Sequence, residues 1–106
     1  MENDIIIVYC TLPDMETAKK IASHLVENHL AACCNIIPGI QSIYRWQGEI
    51  QQDNELLMLI KTRQSLFDKL AQAIRELHPY EVPEIIASSL CLGNEEYLKW
   101  VMENVE

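Results

Sequence analysis

The chain has 106 residues, of which 49% are hydrophobic and 23% charged, and this composition predicts one folded domain, residues 1–106, with a modest core. Its formal net charge is −8, from 8 basic and 16 acidic residues, and the basic residues are scattered between Lys19 and Lys99. A chain without a basic patch repels phosphate groups, so we expect no nucleic-acid partner and no membrane partner.

The first apolar stretch and the cysteines predict the compartment. Ile5 to Cys10 is too short for a membrane span or a signal-peptide core, and the acidic residues Glu2 and Asp4 precede it. We therefore expect a cytoplasmic protein. The four cysteines, at positions 10, 33, 34 and 91, have no CxxC spacing, which argues against a zinc ribbon and a thioredoxin-type motif. In the cytoplasm they should be reduced thiols.

The first two elements are a strand and a helix. Ile5 to Cys10 is a continuous, largely β-branched apolar run, which is typical of a buried strand. Pro13-Asp14 is a helix-start signal, and the predicted helix ends near His29. Its apolar positions have helical spacing: Ala18, Ile21, Ala22, Leu25 and Val26.

A long hairpin is predicted next. Strand character runs from Leu30 to Trp46 and is interrupted at Pro38-Gly39, which indicates a kink or bulge. Gln47-Gly48 is a turn signal, so the strand from Glu49 to Thr62 should return antiparallel to the first.

Two helices flank a last strand. Thr62 is a candidate cap for the second helix, which Pro79 should end, so His78 is expected at its C-terminus. Its apolar positions are Leu66, Phe67, Leu70, Ala73, Ile74 and Leu77. Residues 85–92 are typical of a fourth strand, and Asn94 should cap a final helix.

This order of elements predicts an α+β fold, a ferredoxin-like β-α-β-β-α-β sandwich with a long hairpin and an extra C-terminal helix. The first two predicted helices pack on one face of the sheet, so the other face needs cover. Tyr44 and Trp46 on the long hairpin favour self-association in a closed ring. A monomer whose C-terminal helix covers the open face is the alternative.

The segment His78-Pro79-Tyr80-Glu81-Val82-Pro83-Glu84 has the strongest local signal for a functional site. It brings a histidine and two carboxylates into seven residues that two prolines stiffen. Imidazole and carboxylate groups bind metals and carry protons. The same turn can equally be a helix stop whose side chains bond to nearby backbone groups.

Several phrases together resemble the CutA family of divalent-cation-tolerance proteins over nearly the whole chain. Beside the segment that begins at His78, they are Leu30-Ala31-Ala32-Cys33, the run from Ser42 to Ile50, Lys61-Thr62, and Tyr97-Leu98-Lys99-Trp100. The resemblance implies a cytoplasmic homotrimer joined through long hairpins, with a role in tolerance to copper and other divalent cations.

The resemblance also implies a copper site. It maps the proposed ligands of the family onto Cys10 and His78, and we add Glu84 as a third candidate. A copper ion is thus the expected bound metal, since copper(I) favours thiolate and accepts imidazole. The alternative for Cys10 is a buried core thiol. Cys33 and Cys34 should point to opposite faces of a strand, so we expect them not to chelate one ion together.

No catalytic motif is present in the sequence, and we expect a protein that is not an enzyme. A nucleophilic pair of Cys10 and His78 would require a lowered thiol pKa. Two other functions stay open. One is a signalling or interaction trimer similar in architecture to the PII proteins, with a small anionic metabolite or a partner protein in the inter-subunit cleft around Tyr80, Glu81, Lys61 and Trp100. The other is a purely structural scaffold.

Overall fold

The computed structural model describes residues 4–106 and contains four strands, three α-helices and one 3-10 turn. Glu2, on which the prediction of compartment partly depends, lies outside the described residues, as do the first three residues of the predicted domain. The elements are β1 (Ile5–Leu12), α1 (Met15–Glu27), β2 (Cys33–Trp46), β3 (Glu49–Arg63), the 3-10 turn (Gln64–Leu66), α2 (Phe67–Leu77), β4 (Ile86–Ser89) and α3 (Glu95–Glu103).

The four strands form one antiparallel sheet in the order β2-β3-β1-β4. The two central strands are β3 and β1. At one edge of the sheet β2, the first strand of the hairpin, pairs with β3, and at the other edge β4 pairs with β1. This arrangement, with α1 and α2 as crossovers, confirms the predicted ferredoxin-like α+β fold. None of the described helices has the length and hydropathy that a membrane crossing requires.

The main core lies between the sheet and the two crossover helices. Alternate residues of β1 and β3 point into it, because successive side chains of a strand face opposite sides of a sheet. The fully buried members are Val8, Cys10, Leu12, Ala18, Ile21, Leu25, Met58, Ile60, Leu70 and Ile74. Asp14 caps α1 by accepting the backbone N–H of Thr17 at 2.7 Å, as the helix-start signal predicted.

The long hairpin has the predicted bulge and turn. The register shifts between Ile37 and Ile40, at Pro38-Gly39, where Gly39 has φ +80°. At the tip, Gln47 and Gly48 both have positive φ, 52° and 83°, as a type I′ turn requires. The molecule is therefore elongated, measuring 46 × 26 × 23 Å.

The second face of the sheet is covered at one end only. Val101 of α3, together with Val105 just beyond the helix, packs against Ile5 at the start of β1. Farther along this face, Ile37 on β2 and Ile86 on β4 stay 42% and 56% exposed. Within the described residues, α3 thus does not provide the full cover that a monomer would need.

Two structural details predicted from the sequence are wrong. Thr62 does not cap α2, because it ends the buried part of β3 and its hydroxyl donates to the Leu30 carbonyl at 2.7 Å. The 3-10 turn leads into α2 instead. The fourth strand is also shorter than residues 85–92, since its ladder with β1 ends where Ser89 pairs with Ile6.

Candidate functional site

The end of α2 is tied to the end of β1 by His78. Pro79 stops the helix and holds His78 in an extended conformation, which directs its ring inward, where it is 7% exposed. Its Nε2 lies 2.8 Å from the Thr11 carbonyl oxygen. A carbonyl oxygen only accepts, so Nε2 carries the proton and donates this bond.

The second ring nitrogen of His78 is also engaged. The backbone N–H of Tyr80 donates to Nδ1 at 3.2 Å, which agrees with a neutral ring protonated at Nε2. The Tyr80 ring lies against the imidazole, with centroids 4.6 Å apart. Both nitrogens therefore hold the turn in place, and a metal could bind His78 only if one of these bonds were given up.

Tyr80 extends this network to the hairpin. Its hydroxyl donates to Oε2 of Glu55 at 2.6 Å. Glu55 is 6% exposed although it carries a carboxylate. Burial and the Glu55 contact both raise the pKa of Tyr80, so the hydroxyl keeps its proton.

Cys10 lies in the core directly beside this network. Its thiol donates a weak hydrogen bond to the same Thr11 carbonyl, at 3.7 Å, so the structure brings Cys10 and His78 together at one backbone oxygen. Burial, followed by the charges of Glu84 and Glu55, raises the pKa of Cys10 to about 12. A raised pKa is the opposite of what a cysteine nucleophile needs.

The adjacent cysteines separate as predicted. Cys34 packs against the main core, and burial raises its pKa to about 12. Cys33 pairs with Lys61 and lies on the second face, with its thiol 3.7 Å from Oδ1 of Asn35. The two thiols cannot chelate one ion within this subunit.

An open cleft of about 820 Å³ separates the hairpin from the turn of residues 78–84. Glu84 and Glu81 are exposed and line it, and the buried Glu55 lies at its base. The other lining residues are Thr11, Gln41, Ser42, Ile43, Tyr44, Trp46, Pro79, Tyr80 and Val82. Lys61 and Trp100, which were predicted near an inter-subunit metabolite site, do not line this cleft of the single subunit.

No group of three or more His, Cys, Asp or Glu side chains in residues 4–106 is arranged to hold a metal ion. The predicted ligands Cys10, His78 and Glu84 approach one another without forming a ready coordination site. Sequence reasoning missed Glu55 and Asp53, which accept the hydroxyls of Tyr80 and Tyr44. Asp53 and Glu55 lie two residues apart on β3, just before its apolar run, so their side chains share one face of the strand. That spacing could have indicated a shared acidic site.

The raised thiol pKa values predict selective protection from alkylation. With iodoacetamide at neutral pH, Cys10 and Cys34 should react about a thousandfold more slowly than an ordinary thiol, because the thiolate is the nucleophile. The exposed Cys91 should react first, as peptide mapping by mass spectrometry would show. In denaturant all four cysteines should react alike. Rapid modification of Cys10 in the folded protein would mean that the end of β1 is open.

Comparisons with known proteins agree on one family. A sequence model described as CutA1 divalent ion tolerance protein matches residues 6–104. The chain is 54% identical over 98 residues to the divalent-cation tolerance protein CutA of Thermus thermophilus, which covers 92% of this chain and 95% of that protein. It is 48% identical over 96 residues to a chloroplastic CutA of Arabidopsis thaliana, covering 91% of this chain and 53% of that protein.

Solved structures show the same similarity. The Thermus thermophilus structure has a TM-score of 0.94 and 52% identity, and covers 96% of this chain and 99% of that one. A structure described as a periplasmic divalent cation tolerance protein from Archaeoglobus fulgidus has a TM-score of 0.93 at 38% identity, with 96% and 99% covered. The chain therefore spans nearly all of the bacterial and archaeal proteins, but about half of the plant protein.

Proposed function

The chain belongs to the CutA1 divalent ion tolerance family, and from this membership we propose that it is a cytoplasmic, non-enzymatic homotrimer that binds copper or another divalent metal ion weakly. Its partners in this proposal are metal ions and two further copies of itself. We propose residues 1–106 as one domain.

The convergence of Cys10 and His78 on the Thr11 carbonyl is the observation that carries the metal proposal. Glu84 is close enough for its charge to raise the pKa of Cys10, so all three proposed ligands share one region. A soft thiolate and an imidazole suit copper(I). Binding must displace the thiol proton and one hydrogen bond of His78, and for this reason we propose weak binding.

The exposed apolar surface supports self-association. Ile43 and Ile50 on one face of the hairpin are 67% and 59% exposed, and Tyr44 and Trp46 on its other face are also exposed. Apolar surface of this kind on a protruding hairpin is typical of an interface. A closed ring of three would cover each hairpin with a neighbouring subunit.

Native mass spectrometry tests both parts of this proposal at once. The reduced, metal-free protein should have the mass of three chains and should take up one copper(I) per subunit when copper is added in limiting amounts. Because the pKa of Cys10 is about 12, each binding event releases a proton, and the apparent affinity should rise about tenfold per pH unit between neutral pH and that value.

The variant with both Cys10→Ser and His78→Gln should lose this uptake, whereas Cys91→Ser, which changes an exposed cysteine outside the site, should keep it. Unchanged stoichiometry and affinity in the double variant would refute these ligands. A single-chain mass would refute the trimer.

A ligand-binding trimer similar in architecture to the PII proteins is the second candidate, and the 820 Å³ cleft is the observation that favours it. An anionic metabolite suits this cleft poorly, because three glutamates line it. Lys61, which was predicted near such a metabolite in the inter-subunit cleft, donates to Asn35 on the second face of the sheet.

A further inference from the structure

We propose that the buried thioether of Met58 is a further ligand of the bound metal ion, beside Cys10 and His78, and that it makes this site selective for copper(I). The inference rests on the proposed function, from which it takes the metal role and the first two ligands. It adds a donor on β3, a strand that contributes no ligand to the site inferred from the sequence.

Met58 lies directly beside Cys10 in the sheet. Strands β1 and β3 are antiparallel neighbours, and Cys10 pairs with Met58 in their register. Residues opposite each other on such strands share one face of the sheet, with Cβ atoms about 4.5–5.5 Å apart. Both side chains are 0% exposed and belong to the main core. The thiol and the thioether are therefore carried by adjacent side chains on the face that the two crossover helices cover.

His78 approaches this pair from the end of α2. Its Nε2 and the Cys10 thiol both reach the Thr11 carbonyl, at 2.8 and 3.7 Å. Thr11 itself pairs with Leu57, the residue before Met58. The end of α2, β1 and β3 thus bring an imidazole, a thiol and a thioether to one buried region of the subunit.

The chemistry of these three donors suits copper(I). Thiolate and thioether are soft ligands that select this ion, and imidazole also binds copper. Within residues 4–106, no group of three His, Cys, Asp or Glu side chains is arranged to hold a metal, so a complete site needs a donor of another kind. Met58 is such a donor.

The charge of the ligand set also favours a monovalent ion. Met58 and a neutral His78 add no charge, so the thiolate of Cys10 is the only charged ligand among the three. Copper(I) neutralises it, whereas a divalent ion would leave a net positive charge among buried apolar side chains, which is costly. We therefore expect copper(I) to bind more tightly than zinc(II).

Met58→Leu separates ligation from packing. Leucine nearly conserves the volume of methionine, so the fold should persist. The copper(I) affinity, measured by competition with bathocuproine disulfonate, should fall roughly tenfold or more. The weaker zinc(II) affinity, measured with a colorimetric zinc indicator, should change by less than about twofold, because zinc gains little from a thioether. Each mixture is left to reach equilibrium, since an ion enters a buried site through local opening.

Met102→Leu is the matched control. Met102 also carries a partly buried thioether, but on α3, where it packs in the second hydrophobic cluster with Val101 and Ile5. This variant should bind copper(I) as the original chain does.

Selenomethionine gives a readout that needs no loss of affinity. The labelled chain, loaded with copper(I), should show a selenium atom in the first coordination shell of copper by X-ray absorption at the copper edge. Met58→Leu should remove this selenium signal, and Met102→Leu should keep it. The labelled original chain provides the result even if Met58→Leu folds poorly.

Copper uptake without a selenium neighbour, or a copper(I) affinity that Met58→Leu leaves unchanged, would overturn Met58 as a ligand and retain the proposed function. Equal losses of copper(I) and zinc(II) affinity would assign Met58 to packing alone. If the original chain took up no copper, the proposed function would fail and this inference with it.

Discussion

His78→Ala is expected to lower the free energy of unfolding by about 3 kcal/mol in the complete absence of metal. The buried ring bonds to the Thr11 carbonyl and to the Tyr80 N–H, and alanine leaves both groups unpaired next to a cavity. Urea denaturation with a chelator, at equal chain concentrations, measures this loss. His78→Gln, which keeps a donor and an acceptor, should lose less.

His24→Ala is the matched control, since His24 is exposed on α1 and its removal should change stability by less than about 0.5 kcal/mol. If His78→Ala were as stable as the control, the ring would serve a ligand and not the fold. If His78→Ala lost stability and the more stable His78→Gln variant lost copper uptake, this side chain would have both roles.

Ile43→Glu combined with Ile50→Glu should convert the proposed trimer to monomers at micromolar concentration. The two residues lie on one face of the hairpin, because Ile43 pairs with Gln52 and Ile50 with Arg45. Both are exposed in the single chain, so the substitution leaves the subunit core intact. A carboxylate buried at an interface without a partner costs several kcal/mol per subunit. Sedimentation velocity would show the change in mass.

Leu92→Glu is the control for this variant, because Leu92 is 85% exposed and lies outside the hairpin. It should leave the assembly intact. A double hairpin variant that kept the mass of three chains would place the interface elsewhere, with the open sheet face near Ile37 and Ile86 as the next surface to change.

Much of the fold could be predicted from local signals. The periodicity of α1, the Pro38-Gly39 bulge, the Gln47-Gly48 turn and the Asn94 cap are each encoded within a few residues, and the structure confirms them except at Val26 of α1, which stays 40% exposed. Thr62 is an instructive error. A threonine before an apolar helical run satisfies the local rule for a cap, but the Leu30 carbonyl, 32 residues away in the chain, takes its hydroxyl.

The candidate site was predictable only in part. The proline-bounded turn of residues 78–84 identified one wall of the cleft, because the prolines and polar groups are adjacent in sequence. The other wall comes from the hairpin, and no local pattern pairs Tyr80 with Glu55 across 25 residues. The contact between Tyr80 and Glu55 depends on the register of the sheet.

The sequence by itself determined the order of the elements, the ferredoxin-like fold, the family and the excess of negative charge, because periodicity, turn chemistry and composition are properties of neighbouring residues. Only the tertiary structure decided what the polar residues do. In the folded chain both ring nitrogens of His78 form hydrogen bonds with backbone groups and the thiol of Cys10 is buried. An acidic, aromatic cleft also forms there between two segments that are distant in sequence. Hydrogen bonding and desolvation depend on what surrounds a group in space, and that environment exists only once the chain has folded.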